Sequence, residues 1–173
     1  PEIEDLGNFL SQMGAKIEGH GTPRITINGV RRLEGVSYRM SPDRIEAGTF
    51  ILMAAATRSN ITIRDVHLNQ LSALVDKLNQ VGVKVEKVRD GIHVKPGRNL
   101  KPVSMTTYPH PGFPTDLQAQ YAALMSIVPG VSVITDKVFP DRFMHIPELN
   151  RMGAQIRREG GVAIIEGVKQ LVG

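Results

Sequence analysis

The segment PHPGFPTDLQAQ, residues 109–120, contains the residue types and spacing in this chain that are best suited to chemistry. Two proline-flanked turns lead to Thr115 and Asp116, and Gln118 follows Thr115 by three residues. This spacing is a capping box, which predicts that a helix begins here with Asp116 in its first turn. The positive end of the helix dipole favours an ionised carboxylate at that position. Asp116 is therefore a candidate functional acid, although first-turn acids are also common as ordinary helix-start residues.

The composition limits the classes of protein to which the chain can belong. Its 173 residues, 41% of them hydrophobic, are enough for one compact domain, or for one domain and part of another. No apolar run of about 18 residues and no basic-then-apolar leader is present, so we expect a cytoplasmic protein without a membrane partner. The absence of cysteine excludes disulfides and thiolate catalysis. The five histidines lack metal-ligand spacing, so neither a metal nor another cofactor is predicted.

The net charge of +4 is compatible with an anionic partner. The basic residues are scattered, however, and only three tyrosines and five phenylalanines are available to stack on bases. We therefore expect no nucleic-acid partner, whereas a basic site for anionic small molecules fits the composition.

Apolar spacing predicts an alternation of helices and strands. Asp43 and Glu46 form a second capping box, and residues 50–56, FILMAAA, are apolar on every side and should be buried all round. Asp90 and Gly91 predict a two-residue type I′ turn. The predicted order is a helix over 2–13, strands over 15–17, 24–27 and 36–40, a helix from residue 43, a strand over 60–66, a helix over 68–81, a hairpin over 83–96, a strand over 103–106, a helix from 115 that ends at Gly130, a strand over 131–135, a helix near Pro147 and a hairpin that turns at Gly160 and Gly161.

A repeat organises these elements. Three helices end in similar strings, QMGAKI at Gly14, QVGVKV at Gly82 and RMGAQI at Gly153, about 70 residues apart. Each string leads into a hairpin, so the repeating unit is a βαβαββ block. Two blocks, over about 36–97 and 100–167, follow the last αββ part of another. The sequence therefore predicts an α/β fold in which the more apolar first helices cluster centrally with sheets around them, in a chain cut from something longer.

Four strings connect this pattern to a known family: PDRIEAGTF at 42–50, HPGFPTDLQAQ at 110–120, DRFMHIPEL at 141–149 and RMGAQI at 151–156. They resemble those of the UDP-N-acetylglucosamine 1-carboxyvinyltransferases, of the enolpyruvyl transferase superfamily. The resemblance implies two domains, each an inside-out barrel of three βαβαββ units. Residues 1–40 would be the C-terminal αββ part of the first domain, and residues 41–173 would be most of the second.

The resemblance also implies an activity and a site. The family transfers the enolpyruvyl group of phosphoenolpyruvate to the 3′-hydroxyl of UDP-N-acetylglucosamine and releases phosphate, in the first committed step of peptidoglycan synthesis. It assigns the base to Asp116, places Arg142 near the reacting centre, and gives Val138 and Phe139 to the nucleotide-sugar site. A structural role is expected for Arg44. Pro140 and Asp141 stand where many members carry Glu-Asn, so no role of that glutamate is transferred.

The implied partners are the two substrates and the remainder of the enolpyruvyl transferase chain. In the family, the residues that hold phosphoenolpyruvate and the mobile-loop acid lie in other segments, so the 173 residues alone are expected to be inactive. Two other activities stay open: that of the 3-phosphoshikimate 1-carboxyvinyltransferases, which share the fold, and that of proteins like the RNA 3′-terminal phosphate cyclases, which use related units.

Overall fold

The computed structural model describes all residues, 1–173, and divides the chain into two compact units, Pro1–Pro42 and Asp43–Gly173. The first unit consists of α1 (Glu2–Gln12) and a hairpin of β1 (Lys16–Glu18) and β2 (Thr26–Asn28). Gly14 has a φ of +98°, which allows the chain to leave α1 and enter the hairpin. The predicted αββ order of this part is confirmed, with strand bounds shifted by one or two residues.

The predicted strand over 36–40 is wrong. A strand needs a neighbour with free backbone groups, and β1 and β2 pair only with each other. Side chains hold the segment instead. The Tyr38 ring packs on Phe9, with 5.2 Å between the ring centroids, and the Tyr38 hydroxyl donates to Oδ1 of Asp5 over 2.8 Å. The segment is therefore fastened to α1 by its side chains without joining a sheet.

The second unit contains the repeat. Its first half is built of α2 (Arg44–Ala56), β3 (Ile61–Arg64), a 3₁₀ turn (Leu68–Leu71), α3 (Ser72–Val81), β4 (Val83–Val88) and β5 (Gly91–Pro96). Its second half is built of β6 (Met105–Thr107), a 3₁₀ turn (Thr115–Leu117), α4 (Gln118–Met125), β7 (Gly130–Asp136), α5 (His145–Arg151), β8 (Gln155–Glu159) and β9 (Val162–Gly167). The second half is thus a full βαβαββ block, and the first half repeats it without the first strand.

The sheets confirm the α/β class with repeated units. The four-stranded sheet of the second unit has the strand order β6-β7-β9-β8, with β6 and β7 parallel and the other pairs antiparallel. The three-stranded sheet of the same unit, β3-β5-β4, has the same order without an equivalent of β6. The parallel pair matters for the site because α4 connects β6 to β7, and both strands therefore end at the same edge.

The core lies where α2 and α4 pack against each other, with α2 also touching β5 and α4 touching β7 and β9. Gly48 of α2 allows this close approach, because a Cβ atom there would collide with the side chain of the buried Leu117. Asp43 caps α2 by accepting hydrogen bonds from the N–H groups of Ile45 and Glu46, at 2.7 and 3.1 Å. None of the helices has the length and apolar content that a membrane crossing would require.

The expectation that residues 50–56 are buried all round is wrong for one face of α2. Ile51 and Leu52 are buried, but Phe50 and Met53 are 44% and 47% exposed. These two residues lie three positions apart and therefore share one face of the helix. Within the second unit, α4 and the three-stranded sheet β3-β5-β4 pack on the other sides of α2.

Two turn predictions also need correction. Val88 pairs with Gly91, so the residues of the β4–β5 turn are Arg89 and Asp90, and neither has the positive φ of a type I′ turn. Gly91 belongs to β5, where the carbonyl oxygen of Ile63 on β3 occupies the place of a Cβ atom. Gly130 does not end α4, which stops at Met125; it begins β7.

Candidate active site

Asp116 lies in the 3₁₀ turn between β6 and α4, in the first turn as the sequence predicts. The predicted capping box is wrong. Pro114 occupies the cap position, and the side chains of Thr115 and Gln118 turn away to a buried carboxylate, that of Asp136. In a capping box these two side chains would accept hydrogen bonds from backbone N–H groups, whereas here they donate to a carboxylate. Hydrogen bonds to a charged acceptor are the stronger kind, so both side chains point inward to Asp136.

The structure brings three of the four predicted site residues into contact. Oδ1 of Asp116 accepts a hydrogen bond from Nη1 of Arg142 over 2.7 Å, and both side chains are a little under half exposed. The guanidinium carbon of Arg142 lies 5.8 Å from the centroid of the Phe139 ring. Arg142 therefore connects a carboxylate on one loop to an aromatic ring on another. Phe139 is itself 56% exposed.

Val138 and Phe139 form the turn that follows β7. Their backbone N–H groups both donate to Oδ1 of Asp136, over 2.9 and 2.8 Å. The turn is thereby fixed at the edge where β6 and β7 end. Val138, the fourth predicted residue, is partly buried beside the exposed Phe139.

Asp136 is the residue of this region that sequence reasoning missed. It is the last residue of β7 and is 2% exposed. Burial alone would raise its pKa, but hydrogen bonds from the N–H of Phe139, the hydroxyls of Thr107 and Thr115 and the N–H of Val138 hold the pKa below its usual value. An acid directly after an apolar strand, VSVIT, was the available signal.

A cleft of about 350 Å³ opens beside Asp116. It is lined by Thr115, Asp116, Gln118, Ala119, Gln120, Arg142, Met144 and His145. Burial lowers the pKa of His145, which keeps its imidazole neutral at pH 7. The cleft is therefore bordered by one carboxylate, one guanidinium and several neutral polar groups.

Pro140 and Asp141, the departure from the family pattern, connect the loop to β8. The Nη2 atom of Arg158 donates to the carboxylate of Asp141 over 2.7 Å and to the carbonyl oxygen of Pro140 over 3.3 Å. Arg44 is the first residue of α2 and is partly buried, outside the cleft.

A larger cleft, of about 640 Å³, lies between the connection that follows β3 and the β4–β5 turn, and it includes none of the predicted site residues. No group of three or more His, Cys, Asp or Glu residues is close enough together to hold a metal ion.

The family model described as EPSP synthase (3-phosphoshikimate 1-carboxyvinyltransferase) matches residues 1–173, the whole chain. The chain belongs to the EPSP synthase family. Within it, the UDP-N-acetylglucosamine 1-carboxyvinyltransferase 2 of Carboxydothermus hydrogenoformans is 51% identical over 175 residues, and the UDP-N-acetylglucosamine 1-carboxyvinyltransferase of Lawsonia intracellularis is 51% identical over 173. Both alignments cover all of this chain and 42% of the relative. This EPSP synthase family chain thus spans less than half the length of these relatives.

Solved structures agree with the family fold. The enolpyruvyl transferase NikO from Streptomyces tendae superposes on 96% of this chain with a TM-score of 0.83 and 26% identity, and the match covers 40% of NikO. An EPSP synthase from Acinetobacter baumannii superposes on 94% of this chain, covering 38% of its own, with a TM-score of 0.59 and 18% identity, a likeness of fold alone. The resemblance given by the four sequence strings is confirmed, and so is the α/β fold class of the enolpyruvyl transferases.

Proposed function

We propose that this chain supplies part of a UDP-N-acetylglucosamine 1-carboxyvinyltransferase. The proposed enzyme transfers the enolpyruvyl group of phosphoenolpyruvate to the 3′-hydroxyl of UDP-N-acetylglucosamine and releases phosphate. The identity to named relatives carries the proposal, and the geometry of the site supports it. The chain is about half identical, along its entire length, to relatives with this name, and within it Asp116 and Arg142 meet at 2.7 Å beside a cleft.

Asp116 acts as the base of this reaction. As the sugar oxygen bonds to C2 of phosphoenolpyruvate, its hydroxyl proton goes to the Asp116 carboxylate and the methylene carbon takes up another proton. Elimination then removes a proton from the new methyl group and expels phosphate. A base must be ionised and within reach of the hydroxyl, which suits a carboxylate that is half exposed at the edge of a cleft.

Arg142 keeps Asp116 oriented before the sugar binds. The 2.7 Å hydrogen bond fixes the position of the carboxylate, and the stacking of Arg142 on Phe139 limits where the guanidinium can move. Val138 and Phe139 border the nucleotide-sugar position from the other loop. The backbone turn that carries them is fixed to a buried carboxylate, which supports a binding surface that is already formed before the ligand arrives.

The remaining parts of the proposal concern the whole protein. Its substrates are UDP-N-acetylglucosamine and phosphoenolpyruvate, and its location is the cytoplasm. We infer that the cations around phosphoenolpyruvate and the acid that protonates it come from the rest of a protein with the relatives' full length. The 173 residues alone should therefore release no phosphate.

The test is an acceptor comparison with the full-length protein. Phosphate release from phosphoenolpyruvate is measured with UDP-N-acetylglucosamine, with 3-phosphoshikimate, and with no acceptor, and binding of an RNA oligonucleotide is measured in parallel. We expect phosphate release with UDP-N-acetylglucosamine alone. Release with 3-phosphoshikimate alone, or tight RNA binding without any phosphate release, would assign the protein to one of the other two activities.

A further inference from the structure

The carboxylate of Asp136 lies where β6, the 3₁₀ turn before α4, the start of α4 and the turn after β7 meet. It accepts five hydrogen bonds, and its two oxygens bond to different parts of the site. Oδ1 accepts from the hydroxyl of Thr107 at 2.7 Å, from the N–H of Val138 at 2.9 Å and from the N–H of Phe139 at 2.8 Å. Oδ2 accepts from the hydroxyl of Thr115 at 2.7 Å and from the amide of Gln118 at 3.4 Å.

The Oδ2 side leads directly to the Asp116–Arg142 pair. Thr115 is the residue before Asp116, so its bond to Asp136 determines where the turn begins. The Nε2 atom of Gln118 also donates to the backbone oxygen of Arg142 over 3.1 Å. One oxygen of Asp136 therefore supports both halves of the pair. The Oδ1 side supports the separate turn that carries Val138 and Phe139.

The orientation of the Gln118 amide is determined by these contacts. Its two partners, the carboxylate of Asp136 and the carbonyl of Arg142, can only accept hydrogen bonds, so the NH₂ group must face them. The Oε1 atom of Gln118 is left buried without a partner. The amide is held in this orientation because both of its donors are in use.

We propose that Asp136 is a positioning residue of the active site, whose Oδ2 atom sets the Asp116–Arg142 pair and whose Oδ1 atom sets the Val138–Phe139 turn. The inference rests on the proposed function of the site and adds that the two oxygens of one carboxylate position different parts of it. Asp136 does not touch the substrates. It acts by fixing the base on one side and the nucleotide-sugar surface on the other.

Asp136→Asn in the full-length protein should disturb the contacts of Oδ2 while keeping those of Oδ1. The two backbone N–H groups at Oδ1 can neither rotate nor accept, so the asparagine oxygen must face them and its NH₂ group must face Thr115 and Gln118. The hydroxyl of Thr115 can rotate to accept, but the NH₂ group of Gln118 then meets another donor. We expect kcat to fall about 10- to 100-fold through misplacement of Asp116. The KM for UDP-N-acetylglucosamine should stay within about threefold, because the turn keeps its partners.

Matched variants control for a general loss of packing. Ser126→Ala removes another buried hydroxyl, which bonds to the carbonyl of Ala122 at 2.8 Å away from the cleft, and should leave kcat within about twofold. Thr115→Val should lower kcat as Asp136→Asn does, whereas Thr115→Ser, which keeps the hydroxyl, should retain it. The double variant Asp136→Asn/Thr115→Val should lower kcat by less than the product of the two single effects, because both changes disturb the same hydrogen-bond network at Oδ2.

Three outcomes would overturn the inference: a kcat for Asp136→Asn within about threefold of wild type, an equal loss in Ser126→Ala, or a rise in KM with kcat unchanged. A wild-type protein without transfer activity would instead refute the proposed function. The positioning inference is then judged by crystal structures of the wild-type protein and Asp136→Asn. Separation of Asp116 from Arg142 beyond about 4 Å in the variant supports it, and an unchanged contact of 2.7 Å overturns it.

Discussion

Replacing Asp116 with asparagine should separate the chemical role of this side chain from any structural one. The substitution exchanges one carboxylate oxygen for an NH₂ group of the same size. In the structure the carboxylate caps no helix, and its bond to Arg142 joins two side chains that are nearly half exposed. Exposed ion pairs of this kind contribute about 0–1 kcal/mol to the free energy of unfolding. Such a loss lowers the melting temperature of a domain of 150–250 residues by no more than about 4 °C, and that of a longer protein by less.

The effect on turnover should be much larger. Asparagine cannot take the proton of the sugar hydroxyl, and the loss of a general base lowers the rate about 10²- to 10⁴-fold, or roughly 3–5 kcal/mol of activation free energy. The remaining oxygen of the asparagine can still accept the hydrogen bond from Arg142. The affinity for UDP-N-acetylglucosamine should change much less than kcat, since the Val138–Phe139 turn does not depend on Asp116.

The assay compares kcat, nucleotide-sugar affinity and melting temperature for wild type and Asp116→Asn in the full-length protein. Glu148→Gln is the matched control, because Glu148 forms a similar exposed ion pair with Arg151, at 3.0 Å on α5 and outside the cleft. We expect its kcat to equal that of wild type. Turnover of Asp116→Asn within about tenfold of wild type, or a loss fully explained by unfolding, would refute the assignment of Asp116 as the base.

Two further predictions concern the packing around the site. Gly48→Ala should lower the free energy of unfolding by up to about 2 kcal/mol, because overpacking against the buried Leu117 outweighs the gain in helix propensity. The control in denaturant titrations is Gly35→Ala, because no atom lies within 4 Å of a Cβ at Gly35. A Gly48→Ala variant that is more stable than wild type would contradict the packing argument. Because burial lowers the pKa of His145, the unfolded chain takes up a proton below about pH 6.5 that the folded chain does not, so folding stability falls as the pH drops. His145→Gln should reduce the loss of melting temperature between about pH 7.5 and 5.5, and an equal loss in both proteins would rule out this contribution.

The sequence determined the elements that depend on neighbours in the chain. Gly82 and Gly153 end their helices with positive φ, and Asp43 caps α2, because each effect acts within about one helical turn. The same local signals in both halves of the second unit predicted the repeat, although the first half lacks the first strand of the βαβαββ unit. The position of Asp116 in a first turn was also local and was predicted correctly. The roles of Asp116, Arg142, Val138 and Phe139 remain proposals.

The tertiary structure decided which partner each polar group uses. Thr115 and Gln118 have the spacing of a capping box, yet both bond to Asp136, which is 21 and 18 residues away in the chain. Pairing of β6 with β7 brings this carboxylate beside the turn, and a charged acceptor then outcompetes the local one. The exposed face of α2 and the absence of a strand over 36–40 were likewise decided by which neighbours are present. Periodicity states which face is apolar or which segment can extend, but only the fold determines whether a neighbour is present to cover or pair with it.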